Sequence, residues 1–179
     1  MSSNSFKSID RFLKAKSVVF IGGKDLFVPI RELKRRGFKG KIFVVNPKRP
    51  KIDNYKCLRK VSDLPLSPDA AFIAVPAKEV ISTVRELKAV KCKGIVCYSA
   101  GFKETGKTGK YLENTLIKEC GDIPLIGPNC YGIVNYLDKS ALWPFAHGGE
   151  CPGYGAAIIT QSGMLSSDIS MNQLSLIHI

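Results

Sequence analysis

Apolar residues come in short runs from Ser17 onward, separated by stretches where they recur every third or fourth position. The first run, Val18-Val19-Phe20-Ile21, predicts a strand over residues 17–21 that breaks into Gly22-Gly23-Lys24-Asp25. Leu26, Ile30 and Leu33 then share one face of a helix predicted over 28–36, with Gly37 as its stop. A second strand is predicted over 41–45 and is closed by Asn46-Pro47. Residues 48–65 are polar and predict irregular chain, with a short helical turn at 61–64. The pattern then gives a strand at 70–75 and a helix at 78–90 built on Val80, Ile81, Val84 and Leu87. A strand at 94–98, a helix at 111–120 and a short strand at 124–126 follow. Beyond Gly132 periodicity fades, and residues 133–154 predict a connecting segment that contains Trp143, Pro144, His147, Gly148 and Gly149. Residues 156–160 predict one more strand, and Gln161-Ser162-Gly163 opens one more helix.

Short strands buried on both faces, alternating with helices of about ten residues, predict an α/β fold with a doubly wound parallel sheet. In such sheets ligands bind outside the C-terminal ends of the strands. Those ends read Gly22-Gly23-Lys24, Asn46-Pro47-Lys48, Val75-Pro76-Ala77, Ser99-Ala100-Gly101 and Gly127-Pro128-Asn129-Cys130. The first of them is a strand, a glycine turn and a helix start, where backbone N–H groups can approach a phosphate. It lacks the third glycine of a full dinucleotide fingerprint.

Composition narrows the setting. A chain of 179 residues with 45% hydrophobic content is one domain, or one domain and the beginning of another. The expected division is a polar N-terminal segment at 1–16, the main domain at 17–132, the connector at 133–154 and the start of a second domain at 155–173. The sequence has no run of 18 apolar residues, and residues 1–16 lack the apolar centre of a secretory signal, so no membrane partner and a cytoplasmic location are expected. Six cysteines without a C-x-x-C pair predict reduced thiols and no metal site. The net charge of +12 sits entirely in residues 1–60, which hold 17 Lys/Arg against four Asp/Glu. A solvated helix face carrying Arg31, Lys34, Arg35 and Lys39 accounts for part of it. The remainder suits a polyanionic small ligand better than nucleic acid, because Phe20, Phe27, Phe38 and Phe43 lie in or beside apolar patterns and are expected in the core.

The second strand end discriminates among dinucleotides. An NAD enzyme carries an acidic residue there to accept from the ribose 2′-OH, whereas this chain has Asn46-Pro47-Lys48-Arg49. That chemistry suits an extra phosphate near the ribose, as in NADP or coenzyme A. No arrangement for hydride transfer is visible, since His147 stands in a glycine-rich connector. Residues 38–48, Ala74-Val75-Pro76-Ala77, Tyr98-Ser99-Ala100-Gly101-Phe102 with Glu104, Gly127-Pro128-Asn129-Cys130 with Gly132, and Thr160-Gln161-Ser162-Gly163 occur in a specific order. Together they resemble the coenzyme A-binding domain of the NDP-forming acyl-CoA synthetases, relatives of the succinyl-CoA synthetase alpha subunit. Ala141-Leu142-Trp143-Pro144 with His147-Gly148-Gly149 is similar to an acetate-CoA ligase-like branch. The resemblance covers residues 17–173.

The resemblance implies a Rossmann-like domain followed by the beginning of a flavodoxin-like one, and a reversible reaction of acid, coenzyme A and ATP to acyl-CoA, ADP and phosphate. It places Gly22, Gly23 and Lys24 at the nucleotide end of coenzyme A, and Asn46, Pro47 and Lys48 at the adenosine and its 3′-phosphate. Val75, Pro76 and Ala77, with Ser99, Ala100 and Gly101, would line the pantetheine arm. Asn129 and Cys130 would lie near the thiol, and Ser162 and Gly163 would help hold a phosphoryl group. No catalytic residue is assigned. The phosphorylated histidine and the ATP-grasp portion of the family have no counterpart in these residues, so ATP and ADP would engage only through that further domain or subunit. The chain by itself is expected to bind and not to turn over. A stand-alone coenzyme A or nucleotide sensor and an NADP-dependent oxidoreductase are the alternatives. The last six residues, 174–179, resemble the translated end of a transposon used in sequencing libraries and are expected to be non-native.

Overall fold

The computed structural model describes residues 3–148 and 157–171. Helix α1 (Ser3–Leu13) leads into strand β1 (Ser17–Gly22), helix α2 (Phe27–Arg35) and strand β2 (Lys41–Val45). Strands β3 (Lys51–Ile52), β4 (Tyr55–Leu58) and β5 (Ala70–Ala74) follow, then helix α3 (Ala77–Ala89) and strand β6 (Ile95–Cys97). Helix α4 (Lys107–Cys120), strand β7 (Leu125–Ile126), the pair β8 (Ile133–Asn135) and β9 (Ser140–Leu142), and helix α5 (Gly163–Met171) complete the described chain. The main sheet has the order β3-β4-β2-β1-β5-β6-β7, parallel throughout except for the β3–β4 pair. The chain starts mid-sheet, winds outward to one edge, then returns past β1 to build the other half. It is the doubly wound order, with its switch point between β1 and β5.

Alternation along β1 shows why an unbroken apolar run belongs at the centre. Val18 and Phe20 face the layer of Leu26, Ile30 and Leu33, whereas Val19 and Ile21 face Val80, Val84 and Leu87. Both faces are covered, so each position is apolar. Every such buried side chain contributes roughly 1.5–3 kcal/mol of transfer free energy.

Five stretches differ from the sequence expectation. The polar N-terminal segment forms α1, whose Phe12 packs so closely on Gly94 that an added Cβ there would meet its ring at 2.2 Å. Its end is pinned by the buried Asp69 carboxylate, which accepts from Arg11 at 2.7 Å and from the Lys16 and Ser17 amides at 3.1 Å. Residues 48–65 are not irregular: Asp53-Asn54, with Asp53 at φ +51°, makes a two-residue turn between β3 and β4. Residues 133–142 form the β8–β9 hairpin instead of a connector, and its Ala141 and Leu142, with Trp143, enter the core beside α2. Periodicity could not reveal strands three residues long. The strand expected at 156–160 is absent from 157–160, which have no regular structure. Helix α4 begins at Lys107, four residues before its apolar pattern does, after Gly106 at φ +94°. The tail at 174–179 and the rest of the connector, 149–154, lie outside the described residues, as do 155–156 and 172–173 of the expected second domain.

Candidate functional site

The C-terminal edge of the sheet gathers the turns singled out in the sequence and locks them together. Gly22 ends β1 where β5 runs close alongside; a Cβ on it would sit 2.4 Å from the Ala74 carbonyl oxygen. Next to it Asn46, buried at the end of β2, donates from Nδ2 to the Gly22 carbonyl at 2.6 Å. Asn46 Oδ1 accepts from the amides of Lys48 and Arg49, both at 2.8 Å. This side chain bridges two strand ends and forms the following turn, leaving the Lys48 and Arg49 side chains in solvent. Gly23 has open space where a Cβ would stand.

Beside these turns lies a cleft of about 280 Å³ lined by Lys24, Phe27, Arg49, Lys51, Ile52 and Asp53. Three cations face one carboxylate, and none of the three forms an ion pair among the described residues. Phe27 is 42% exposed on the wall of this cleft, so the sequence expectation of a core residue is corrected. Phe20 and Phe38 are buried as expected. Position 27 starts α2, one step ahead of the Ile30–Leu33 face, and the Arg31 guanidinium lies 5.8 Å from its ring centre. Lys48 does not line the cleft; Arg49 and Lys51 do. Lys51 had no motif to mark it, because it reaches the site only through the β3–β4 turn.

The other half of the edge is joined in the same way. Ser99 donates from Oγ to the Val75 carbonyl at 2.6 Å, and its own carbonyl accepts from the Asn129 amide at 2.9 Å. Asn129 stands at φ +52°. Glu104 accepts from the Gly101 amide at 2.6 Å, and that bond holds its carboxyl below the usual range. Val75, Ser99, Gly101 and Asn129 thus form one connected rim, with Pro76 and Ala77 opening α3 behind it. Cys130 donates weakly to the Cys97 carbonyl at 3.5 Å, and burial pushes its thiol up to about 11. At that value the thiol is protonated at neutral pH. Ser162 caps α5 by accepting from the Leu165 amide at 3.3 Å. Gly163 lies against Tyr131, where an added Cβ would meet the ring at 2.9 Å, and the Tyr131 ring sits 6.5 Å from that of Tyr98 at the end of β6. The start of α5 is therefore on the same edge of the sheet as the rim.

Residues 26–136 match the family described as the CoA binding domain. The chain is 36% identical over 173 residues to a trans-feruloyl-CoA synthase from an unknown prokaryotic organism, covering 91% of this chain and 24% of that protein. It is 37% identical over 161 residues to acetate–CoA ligase [ADP-forming] II of Archaeoglobus fulgidus, covering 83% of this chain and 23% of the ligase. Among solved structures, PH0766 from Pyrococcus horikoshii OT3 superposes with a TM-score of 0.80 at 31% identity, over 90% of this chain and 38% of the other. The chain spans about a quarter of the length of these two curated relatives.

Proposed function

The chain belongs to the CoA binding domain family, and from that premise we propose that it is the coenzyme A-binding part of an NDP-forming acyl-CoA synthetase. The observation that carries this reading is the cleft of Lys24, Arg49 and Lys51 with the Phe27 ring on its wall, beside the open backbone at Gly23. It fits the nucleotide end of coenzyme A. The cations suit its phosphates and the exposed ring offers a face for adenine. Asn46 and Pro47 hold the turn that presents Arg49, and Lys48 adds positive charge from outside the cleft. The pantetheine arm would then run along Val75, Pro76 and Ala77 and past Ser99, Ala100 and Gly101, so that the thiol emerges near Asn129 and Cys130. With Cys130 protonated, the sulfur that attacks the activated acid is coenzyme A's own. Ser162 and Gly163 lie at a helix start on the same edge and would meet the phosphoryl group. The second domain, which begins near residue 155, would carry the phosphorylated histidine, and an ATP-grasp domain or subunit would supply ATP, in the cytoplasm.

Calorimetric titration with coenzyme A, 3′-dephospho-coenzyme A and NADP tests this directly. Coenzyme A should bind most tightly, and Arg49→Ala should weaken it by about 1.5–3 kcal/mol, the worth of a hydrogen bond to a charged group. Lys34→Ala, on the exposed face of α2, should change it by only about 0.3 kcal/mol. Equal affinity for the dephospho form would remove the 3′-phosphate from the argument, and a preference for NADP would move the protein to the oxidoreductases.

A further inference from the structure

A second cavity, of about 310 Å³, lies between the C-terminal turn of α2 and the β8–β9 hairpin and shares no lining residue with the strand-end cleft. Phe27 at one end of α2 lines the cleft and Arg35 at the other lines the cavity, about 12 Å apart along the helix axis. Arg35, Arg36 and Lys139 line the cavity, and among the described residues no carboxylate does. Glu32 pairs with Arg35, accepting from its Nε at 2.8 Å, whereas Arg36 and Lys139 form no ion pair among the described residues. Both guanidiniums turn to one neutral acceptor, the His147 carbonyl, Arg35 at 2.6 Å. Ser140 and His147, each 1% exposed, also line the cavity. The Ser140 hydroxyl, both imidazole nitrogens of His147 and Arg36 Nε are buried with no hydrogen-bond partner among the described residues.

We propose that this cavity binds a small oxyanion of the phosphate class, held by Arg36 and Lys139 with Ser140 and His147 on its buried wall. Two features select that chemistry. Two uncompensated cations call for an anion, and Arg is suited to an oxyanion that accepts more than one bond. Several donors around one space call for a ligand with several acceptors, which phosphate has and a halide lacks. The site is independent of the coenzyme A reading, because its residues stand at the far end of α2.

Trp143, the only tryptophan, follows the strand that carries Ser140 and Ala141 and reports on this wall. Titrating the full chain with inorganic phosphate, against chloride at matched ionic strength, should give a saturable fluorescence change. Arg36→Gln and Lys139→Gln should each weaken it about tenfold, with Lys34→Gln as the unaffected neighbour. Lys139 is exposed, so its variant keeps the test informative if Arg36→Gln folds poorly. No saturable response, or one unchanged in Lys139→Gln, would overturn the proposal. Acetate binding more tightly than phosphate would overturn the ligand class. Phosphate displaced by coenzyme A would return the anion to the strand-end cleft, whereas coenzyme A affinity unchanged in both variants separates the two sites.

Discussion

The strand-end cleft and the α2–hairpin cavity are both basic, yet they differ in what their buried polar groups are bonded to. At the strand ends every hydrogen-bonding atom of the Asn46 side chain that matters to the turn is used, on Gly22, Lys48 and Arg49. Ser99 is likewise tied between Val75 and Asn129. In the cavity, the Ser140 hydroxyl, the His147 ring nitrogens and Arg36 Nε are buried without partners among the described residues. The first site is satisfied by the fold itself, so its shape stands ready before any ligand arrives and little ordering is left to be done on binding. The second leaves buried donors bare, each at a cost of about 1–3 kcal/mol to the folded state. Satisfied polar groups hold a site in position; unsatisfied ones call for a ligand.

The largest effect that would break this contrast is at Asn46. Asn46→Ala removes three hydrogen bonds and strands the buried Gly22 carbonyl, so urea unfolding should show a loss of about 3 kcal/mol, at roughly 1 kcal/mol per bond. A loss below about 1 kcal/mol would mean that the turn holds without its bridge. Next comes His147, whose imidazole is driven down to about 4 by burial and then by the Arg36 guanidinium, against the pull of Glu32. Its folded value lies below its unfolded one, so the neutral ring contributes stability that is complete above the ordinary value of 6.5 and lost as pH falls toward 4. Stability should therefore fall by about 2 kcal/mol between roughly pH 7.5 and pH 5, and His147→Asn should abolish most of that fall. An unchanged pH profile in the variant would show that His147 is not the group responsible. Smallest of all, Ser140→Ala deletes a hydroxyl that has no partner among the described residues, so stability should rise by about 1 kcal/mol, the low end of the cost of a bare buried donor. A clear loss of stability would show that the hydroxyl is bonded after all, most simply to water, and would erase the contrast.

The main sheet was legible because its signals are local. The run Val18–Ile21 is apolar at successive positions since both faces of β1 are covered, and Gly22 to Lys24 marks its end by the turn chemistry itself. Asn46 could be singled out for the acid that is missing there, which is also a local fact. Phe27 misled because exposure of a helix's first residue depends on the neighbouring loop, not on helical spacing. The Asp53-Asn54 turn carried a usable hairpin signal, and reading it would have brought Lys51 toward the cleft.

The sequence by itself determined the order of the central strands' elements, the glycine and asparagine turns at their ends and the excess of positive charge in residues 1–60. Each rests on residues a few positions apart, whose backbone preferences and side-chain periodicity act within one element. Tertiary structure alone decided which cations share a cavity. Arg35 and Arg36 meet Lys139, Ser140 and His147 across about a hundred residues, because Ala141, Leu142 and Trp143 bury themselves beside α2 and carry the hairpin with them. Nothing in the spacing of those residues encodes the meeting; the burial of apolar surface elsewhere in the hairpin brings it about.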